Sequence, residues 1–167
     1  GELANKYDVL VIEDLAYCGM DFREHYGTPG QTPFQPSVAK YTNNFILILS
    51  ASKIFSYAGQ RIAMLVFSEK TYTRSYPNLR KYFPSETLGR FIPYGVLYAT
   101  TAGTSHSAQY ALATMLKAVN DGKIDFVKEL HHYGEKARLM KEIFLKYGFY
   151  IVYEDYERKL ADGFYFN

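Results

Sequence analysis

The stretch Phe45-Ile46-Leu47-Ile48-Leu49-Ser50-Ala51-Ser52-Lys53 is an apolar run closed by two hydroxyls and an amine. A short unbroken run of this kind suits a strand buried on both faces, as in a mostly parallel sheet. Two further runs carry the same signature, Val9-Leu10-Val11-Ile12 before it and Ile62-Ala63-Met64-Leu65-Val66-Phe67 after it. The connection between the first two runs is over thirty residues long and holds Gly27, Pro29, Gly30, Pro33 and Pro36, so much of it reads as irregular loop. A crossover between parallel strands needs about a dozen residues, so the length suffices. The second and third runs are only about a dozen residues apart.

Beyond Phe67 the chain reads as mostly helical. The pattern predicts helix over 69–82 with a break at Pro77, and over 85–102 with an interruption near Pro93. A stronger helix is predicted over 105–119, with Ala108, Ala111, Leu112, Met115 and Leu116 on one face and Asn120-Asp121-Gly122 ending it. The strongest spans 125–147, where Phe126, Leu130, Tyr133, Ala137, Met140, Ile143 and Phe144 keep a helical period and Gly148 is the expected stop. Phe149 to Glu154 and Phe164 to Asn167 read as two strands of a smaller layer. Glu2 to Lys6 reads as the last turn of a helix, and Gly163 to Asn167 as a strand with nothing after it. A complete domain tends to end in looser polar residues, so an interior segment of a longer protein is expected.

The bulk composition narrows the function classes. The chain has 167 residues, 48% hydrophobic and 22% charged, which is a globular balance. A formal charge of +2 with no basic stripe argues against a nucleic-acid or anionic-membrane partner. Cys18 is the single cysteine, so no internal disulfide can form, and a reducing, cytoplasmic setting is expected. It reads as a small buried apolar residue. No apolar run approaches the roughly 18–20 residues that span a bilayer, and Gly1-Glu2-Leu3-Ala4-Asn5-Lys6 has no signal-peptide pattern.

In open α/β sheets ligands gather at the carboxyl ends of the strands. Here the first strand ends in Glu13-Asp14-Leu15-Ala16-Tyr17, the second in Ser50-Ala51-Ser52-Lys53, and Gly59-Gln60-Arg61 leads into the third. One rim thus collects carboxylate, phenol, amine, hydroxyls and guanidinium. That set answers the needs of pyridoxal phosphate. An amine forms a Schiff base with its aldehyde, an acid keeps its pyridine nitrogen protonated so that the ring is an electron sink, and hydroxyls and a planar guanidinium hold its phosphate.

Asp14-Leu15-Ala16-Tyr17 resembles the Asp-x-x-Tyr of class I/II aminotransferases (fold type I), and Ser50-Ala51-Ser52-Lys53 resembles their Ser-x-Ser-Lys. Arg61 follows Lys53 by eight residues, the family's spacing, with Gly59 in its usual place. The resemblance implies that Asp14 pairs with the pyridine nitrogen, Tyr17 with the O3′ oxygen, Ser50 and Arg61 with the phosphate, and that Lys53 is the catalytic Schiff-base lysine. Ser52 stands beside them as a further cofactor-binding candidate. Gly148-Phe149-Tyr150 and Asp162-Gly163-Phe164-Tyr165 are similar to the family's small-domain strands, although Gly-Gly-Phe is more usual than Asp162-Gly163-Phe164.

What the resemblance implies for the fold is an α/β architecture. Residues 1–124 would be the second half of the cofactor-binding large domain, and 125–167 a bridging helix and the beginning of the small domain. The first half of the large domain, with the ring-stacking aromatic and an asparagine near O3′, would precede Gly1, and the arginine that grips the substrate carboxylate would follow Asn167. The implied reaction is amino-group transfer between an amino acid and a 2-oxo acid, in a homodimeric parent protein. A pyridoxal-phosphate C–S lyase shares all these residues, and an aminotransferase-like ligand-sensing domain of a transcription regulator is the non-enzyme alternative.

Plainer readings stand beside these. Asp14 after a strand can be only a cap or turn residue. Tyr17 is one of 17 tyrosines, most of which must serve packing. Ser52 could be a turn residue, and the tyrosines from Tyr72 to Tyr98 suit packing or subunit contact. His131 and His132 are adjacent on a helix and do not share a face, and His25 and His106 have no ligand spacing, so no metal site is expected.

Overall fold

β2 (Phe45–Ser50) is the middle strand of a three-stranded sheet, between β1 (Val11–Asp14) and β3 (Ala63–Phe67). The computed structural model describes residues 1–157, 159, 160 and 165. Residues 1–16 and 36–113 make one compact unit, and residues 17–35 and 114–167 a second.

In the first unit β1 and β2 run parallel, with Val11 opposite Phe45 and Asp14 opposite Ile48. β3 returns antiparallel, with Ser50 opposite Ala63 and Ile46 opposite Phe67. The sheet is therefore mixed, not mostly parallel as the apolar runs suggest. The dozen residues between β2 and β3 are spent on α2 (Ala51–Ile54) and a 3-10 turn (Ala58–Gln60), which leaves none for a crossover helix. Two-sided burial also holds only for the first half of β2. Phe45, Ile46 and Leu47 are buried, whereas Ile12 on β1 is 61% exposed and Val66 on β3 is 41% exposed. β1 and β3 are the edges of this sheet, so their outer sides lack the neighbours that cover β2.

A buried polar tie closes the start of the unit. Asn44, 4% exposed, donates from Nδ2 to the Ala4 carbonyl in α1 (Glu2–Lys6) at 3.2 Å and to Asp8 Oδ1 at 3.1 Å. Asp8 also meets Arg74 at 2.6 Å, and Lys70 lies 3.9 Å away. The Arg74 hydrogen bond is the largest influence on the Asp8 carboxyl and holds it below the ordinary carboxylate value. Ser68 caps α3 (Glu69–Thr73) by accepting from the Thr71 amide at 2.9 Å, and its hydroxyl donates to the Asn43 carbonyl.

The predicted break at Pro77 is real: α3 stops at Thr73 and a 3-10 turn follows over Pro77–Lys81. The interruption near Pro93 takes another form. α4 (Leu88–Arg90), a π-helical stretch (Phe91–Leu97) and α5 (Tyr98–Thr101) follow one another without a gap. Proline has no amide to give and its ring crowds the carbonyl one turn back, and a wider turn accommodates both. Gly89 is buried under Tyr72, whose ring carbons would lie 2.5 Å from any Cβ there. The tyrosines of this stretch are largely surface residues: Tyr72, Tyr82, Tyr94 and Tyr98 are all exposed.

α6 (His106–Asn120) runs from the first unit into the second and buries Ala108 and Leu112. α7 (Phe126–Lys146) is capped by Asp125, which accepts from the Lys128 amide at 3.0 Å, and ends before Gly148 at φ +82. The core of the second unit is Met20, Phe22 and Leu130, with Phe126 and Tyr133 packed on it. Gly19 is required there twice over, by φ +83 and by a Leu130 methyl that a Cβ would approach to 2.6 Å. Cys18 is half-buried, not fully buried as its type suggests.

No strand forms over 149–154. Instead β4 (Asp155–Tyr156) pairs antiparallel with β5 (Lys159–Leu160). Within 149–154 only Ile151 is buried, and Tyr150 and Tyr153 face solvent, so among the described residues that apolar pattern has no layer to join. The strand expected over 164–167 lies outside the described residues except for Tyr165.

Candidate active site

Asp14 is the last residue of β1, and Leu15 beyond it donates its amide to the Ile48 carbonyl at 2.8 Å, extending the parallel ladder. Side chains alternate along a strand, so Glu13 and Asp14 point to opposite faces. Their employment differs accordingly. Glu13 Oε2 accepts from the Ser37 hydroxyl at 2.8 Å and from the Val38 amide at 2.9 Å, which fastens the returning loop to β1. Asp14 is exposed and its Oδ1 accepts from the Ala16 amide at 2.9 Å, so the chain turns immediately after it. The plain turn role weighed for Asp14 is thus real, and it employs one carboxylate oxygen.

Ser50 ends β2 on the neighbouring strand, in the direction parallel to β1. Its Oγ accepts from the Ser52 amide at 3.2 Å and caps α2, which carries Ser52 and Lys53. Ala51 and Ile54 are buried beneath that short helix, and Ser52 and Lys53 are half-buried on its other side. The Ala51 amide donates to the Ile62 carbonyl at 3.3 Å, next to the Ser50–Ala63 pair, so the link from β2 to β3 is a loop clamped at its base. Lys53 and Arg61 ride on that one loop.

Arg61 adopts φ 51 and ψ 50, and Ser56 on the same loop has φ 51. An L-residue in the left-handed region costs about 1–2 kcal/mol, and Asp8, Ala102 and Glu157 adopt the same region elsewhere in the chain. Arg61 Nη1 donates to the Ala58 carbonyl at 2.9 Å across the 3-10 turn. At Gly59 an added Cβ would meet nothing within 4 Å, so packing within the chain gives no reason for a glycine there.

The first unit thus joins Asp14 with Ser50, Ser52, Lys53 and Arg61 on two adjacent strand ends and one clamped loop. Among these, Lys53 can hold a carbonyl carbon, and the two hydroxyls and the guanidinium can hold an anion. Tyr17, three residues after Asp14, belongs to the second unit. There its hydroxyl lies 3.0 Å from that of Tyr165, a contact that sequence reading missed. The only advance signal was a phenol in a stretch similar to the family's strands, with no role attached. The His25 and His131 rings, 5.4 Å apart in the second unit, are likewise not legible in the sequence. Among the described residues no three His, Cys, Asp or Glu side chains gather as metal ligands, and no helix is long and apolar enough to cross a membrane.

No curated protein compared with the chain matches it. The model of a protein family described as aminotransferase class I and II matches residues 1–155. With that match over nearly all of its length, the chain belongs to the class I and II aminotransferase family.

Proposed function

We propose that this chain supplies the cofactor-holding part of an enzyme that moves an amino group between an amino acid and a 2-oxo acid, with pyridoxal phosphate bound at Lys53. The family generally depends on that cofactor, and its members generally act on such substrates and form dimers. The observation that carries the reading is the shared loop of Lys53 and Arg61, clamped beside the carboxyl ends of β1 and β2. Residues 1–124 then serve as cofactor-binding domain, and α7 begins the passage to a smaller domain.

The donor set suits the group. Its phosphate is an anion, and Ser50, Ser52 and Arg61 are the hydroxyl and guanidinium donors such a group needs. Gly59 leaves its side of the loop open. Its pyridine nitrogen needs an acid, and Asp14 keeps one carboxylate oxygen beyond the Ala16 turn bond. The cofactor, when bound, supplies an electron sink for charge developing at the substrate α-carbon. Asp14 would keep the ring nitrogen protonated so that the sink operates, and Tyr17 would donate to the ring oxygen. Lys53 Nζ would hold the group through its aldehyde carbon, and the same amine would carry the proton of the substrate α-carbon.

The test is reduction of the full-length protein with borohydride in the presence of pyridoxal phosphate, followed by peptide mapping. The pyridoxyl group is expected on Lys53, and a label on another lysine overturns the assignment. Product analysis separates transfer from elimination: a new amino acid appears in the first case, pyruvate with ammonia in the second.

A further inference from the structure

We infer that Tyr165 is a positioning residue for this reaction, acting through Tyr17. The inference rests on the reading above, in which the Tyr17 phenol serves the cofactor's ring oxygen. Within the second unit the two hydroxyl oxygens lie 3.0 Å apart, and the rings meet edge to face with centroids 5.9 Å apart and planes at 74°. Both contacts fall in the favourable range for their kind. The residues are separated by 148 positions, so local chain geometry does not create the pair. Both side chains are exposed, Tyr17 at 44% and Tyr165 at 52%, so burial does not force it either.

Proton counting gives the contact a direction. A phenol has one proton to donate and lone pairs to accept with. If Tyr17 gives its proton to the ring oxygen, the bond to Tyr165 has Tyr165 as donor. Donation onto the Tyr17 oxygen polarises its O–H bond and strengthens Tyr17 as a donor in turn, since chained hydrogen bonds reinforce one another. The ring edge fixes the plane from which Tyr17 donates. Tyr165 therefore tunes the cofactor without touching it, and residues far along the chain from Asp14 set the strength of a contact three residues beyond it.

The experiment compares wild type, Tyr17→Phe, Tyr165→Phe and the double variant in the full-length protein loaded with pyridoxal phosphate. Phenylalanine keeps the edge-to-face contact at either position and removes only a hydroxyl. The readout is the pH midpoint of the bound cofactor's visible absorption change, with kcat and KM measured beside it. A hydrogen bond to the ring oxygen stabilises its anionic form, so loss of the bond raises the midpoint. Tyr17→Phe should raise it by roughly 0.4–1 pH unit, the equivalent of one hydrogen bond. Tyr165→Phe should raise it by a smaller amount, and the double variant should match Tyr17→Phe alone if Tyr165 acts through the Tyr17 hydroxyl. An unmoved midpoint in Tyr165→Phe while Tyr17→Phe moves it overturns the inference and leaves the Tyr17 reading standing. So does a fall in Tyr165→Phe, which would make Tyr17 the donor, or additive shifts in the double variant. An unmoved midpoint in Tyr17→Phe instead refutes the reading of Tyr17 itself, and the role of Tyr165 with it.

Discussion

Asp14→Asn separates the charge of the proposed ring partner from its shape. Asp14 Oδ1 accepts from the Ala16 amide at 2.9 Å, and an asparagine oxygen can accept the same bond. The turn after β1 should survive, with stability within about 0.5 kcal/mol of wild type, as for an exposed substitution that keeps its contacts. Asp14→Ala, by contrast, loses the turn bond and should cost about 0.5–1.5 kcal/mol. The catalytic effect runs the other way. A carboxylate and a cationic ring nitrogen about 4 Å apart near a protein surface attract by roughly 4 kcal/mol. If all of that acted in the transition state alone, its loss would slow the reaction about a thousandfold. Part of it is spent in binding the cofactor, so a rate loss between roughly tenfold and a thousandfold is expected, larger than the loss of cofactor affinity. The assay is steady-state transamination by the full-length protein at saturating pyridoxal phosphate, with urea unfolding of the same samples. A rate within about twofold of wild type, a difference of under half a kcal/mol, would refute the role of Asp14. Equal destabilisation by asparagine and alanine would show that the Ala16 bond is not what holds the turn.

Two further perturbations follow from the same geometry. Arg61→Ala should weaken pyridoxal phosphate binding roughly tenfold to over a hundredfold, the equivalent of about 1.5–3 kcal/mol for a charge-assisted contact, measured by titrating the apo-protein. Arg61→Gly should lose the same affinity yet unfold at higher urea than Arg61→Ala, because glycine carries no penalty at φ 51; equal unfolding midpoints would contradict the strain. Acid should loosen the first unit through Asp8. Its carboxyl is held low chiefly by the Arg74 hydrogen bond, so the stability it contributes is present above about pH 4, the ordinary aspartate value, and is lost as pH falls through its lowered folded value. Arg74→Met should flatten that part of the stability–pH curve, and an unchanged curve would place the acid sensitivity elsewhere.

The features legible in the sequence share one physical property: they are decided by residues close together in the chain. Lys53 and Arg61 lie on one loop, so their spacing is a local feature that needs no knowledge of the fold. The stop at Gly148, the break at Pro77 and the disturbance at Pro93 are backbone preferences that tertiary context did not override. The direction of β3 is different in kind. An apolar run reports that a segment tolerates burial and is silent on which way it runs, and here only the dozen-residue link carried the information. Exposure of Ile12 is likewise invisible, because coverage is decided by whatever lies on the strand and not by the strand. Glu13 and Asp14 show the boundary most sharply. As sequence they are two adjacent carboxylates at a strand end, and either could be the ring partner on charge alone. Pleating sends them to opposite faces. Glu13 is then occupied by Ser37 and Val38, which return from over twenty residues away to a position that the sequence does not mark. The resemblance selects Asp14 by its spacing to Tyr17, and what the structure adds is the difference in employment: Glu13 fastens the returning loop, whereas Asp14 is exposed and accepts only the Ala16 turn bond among its described hydrogen bonds.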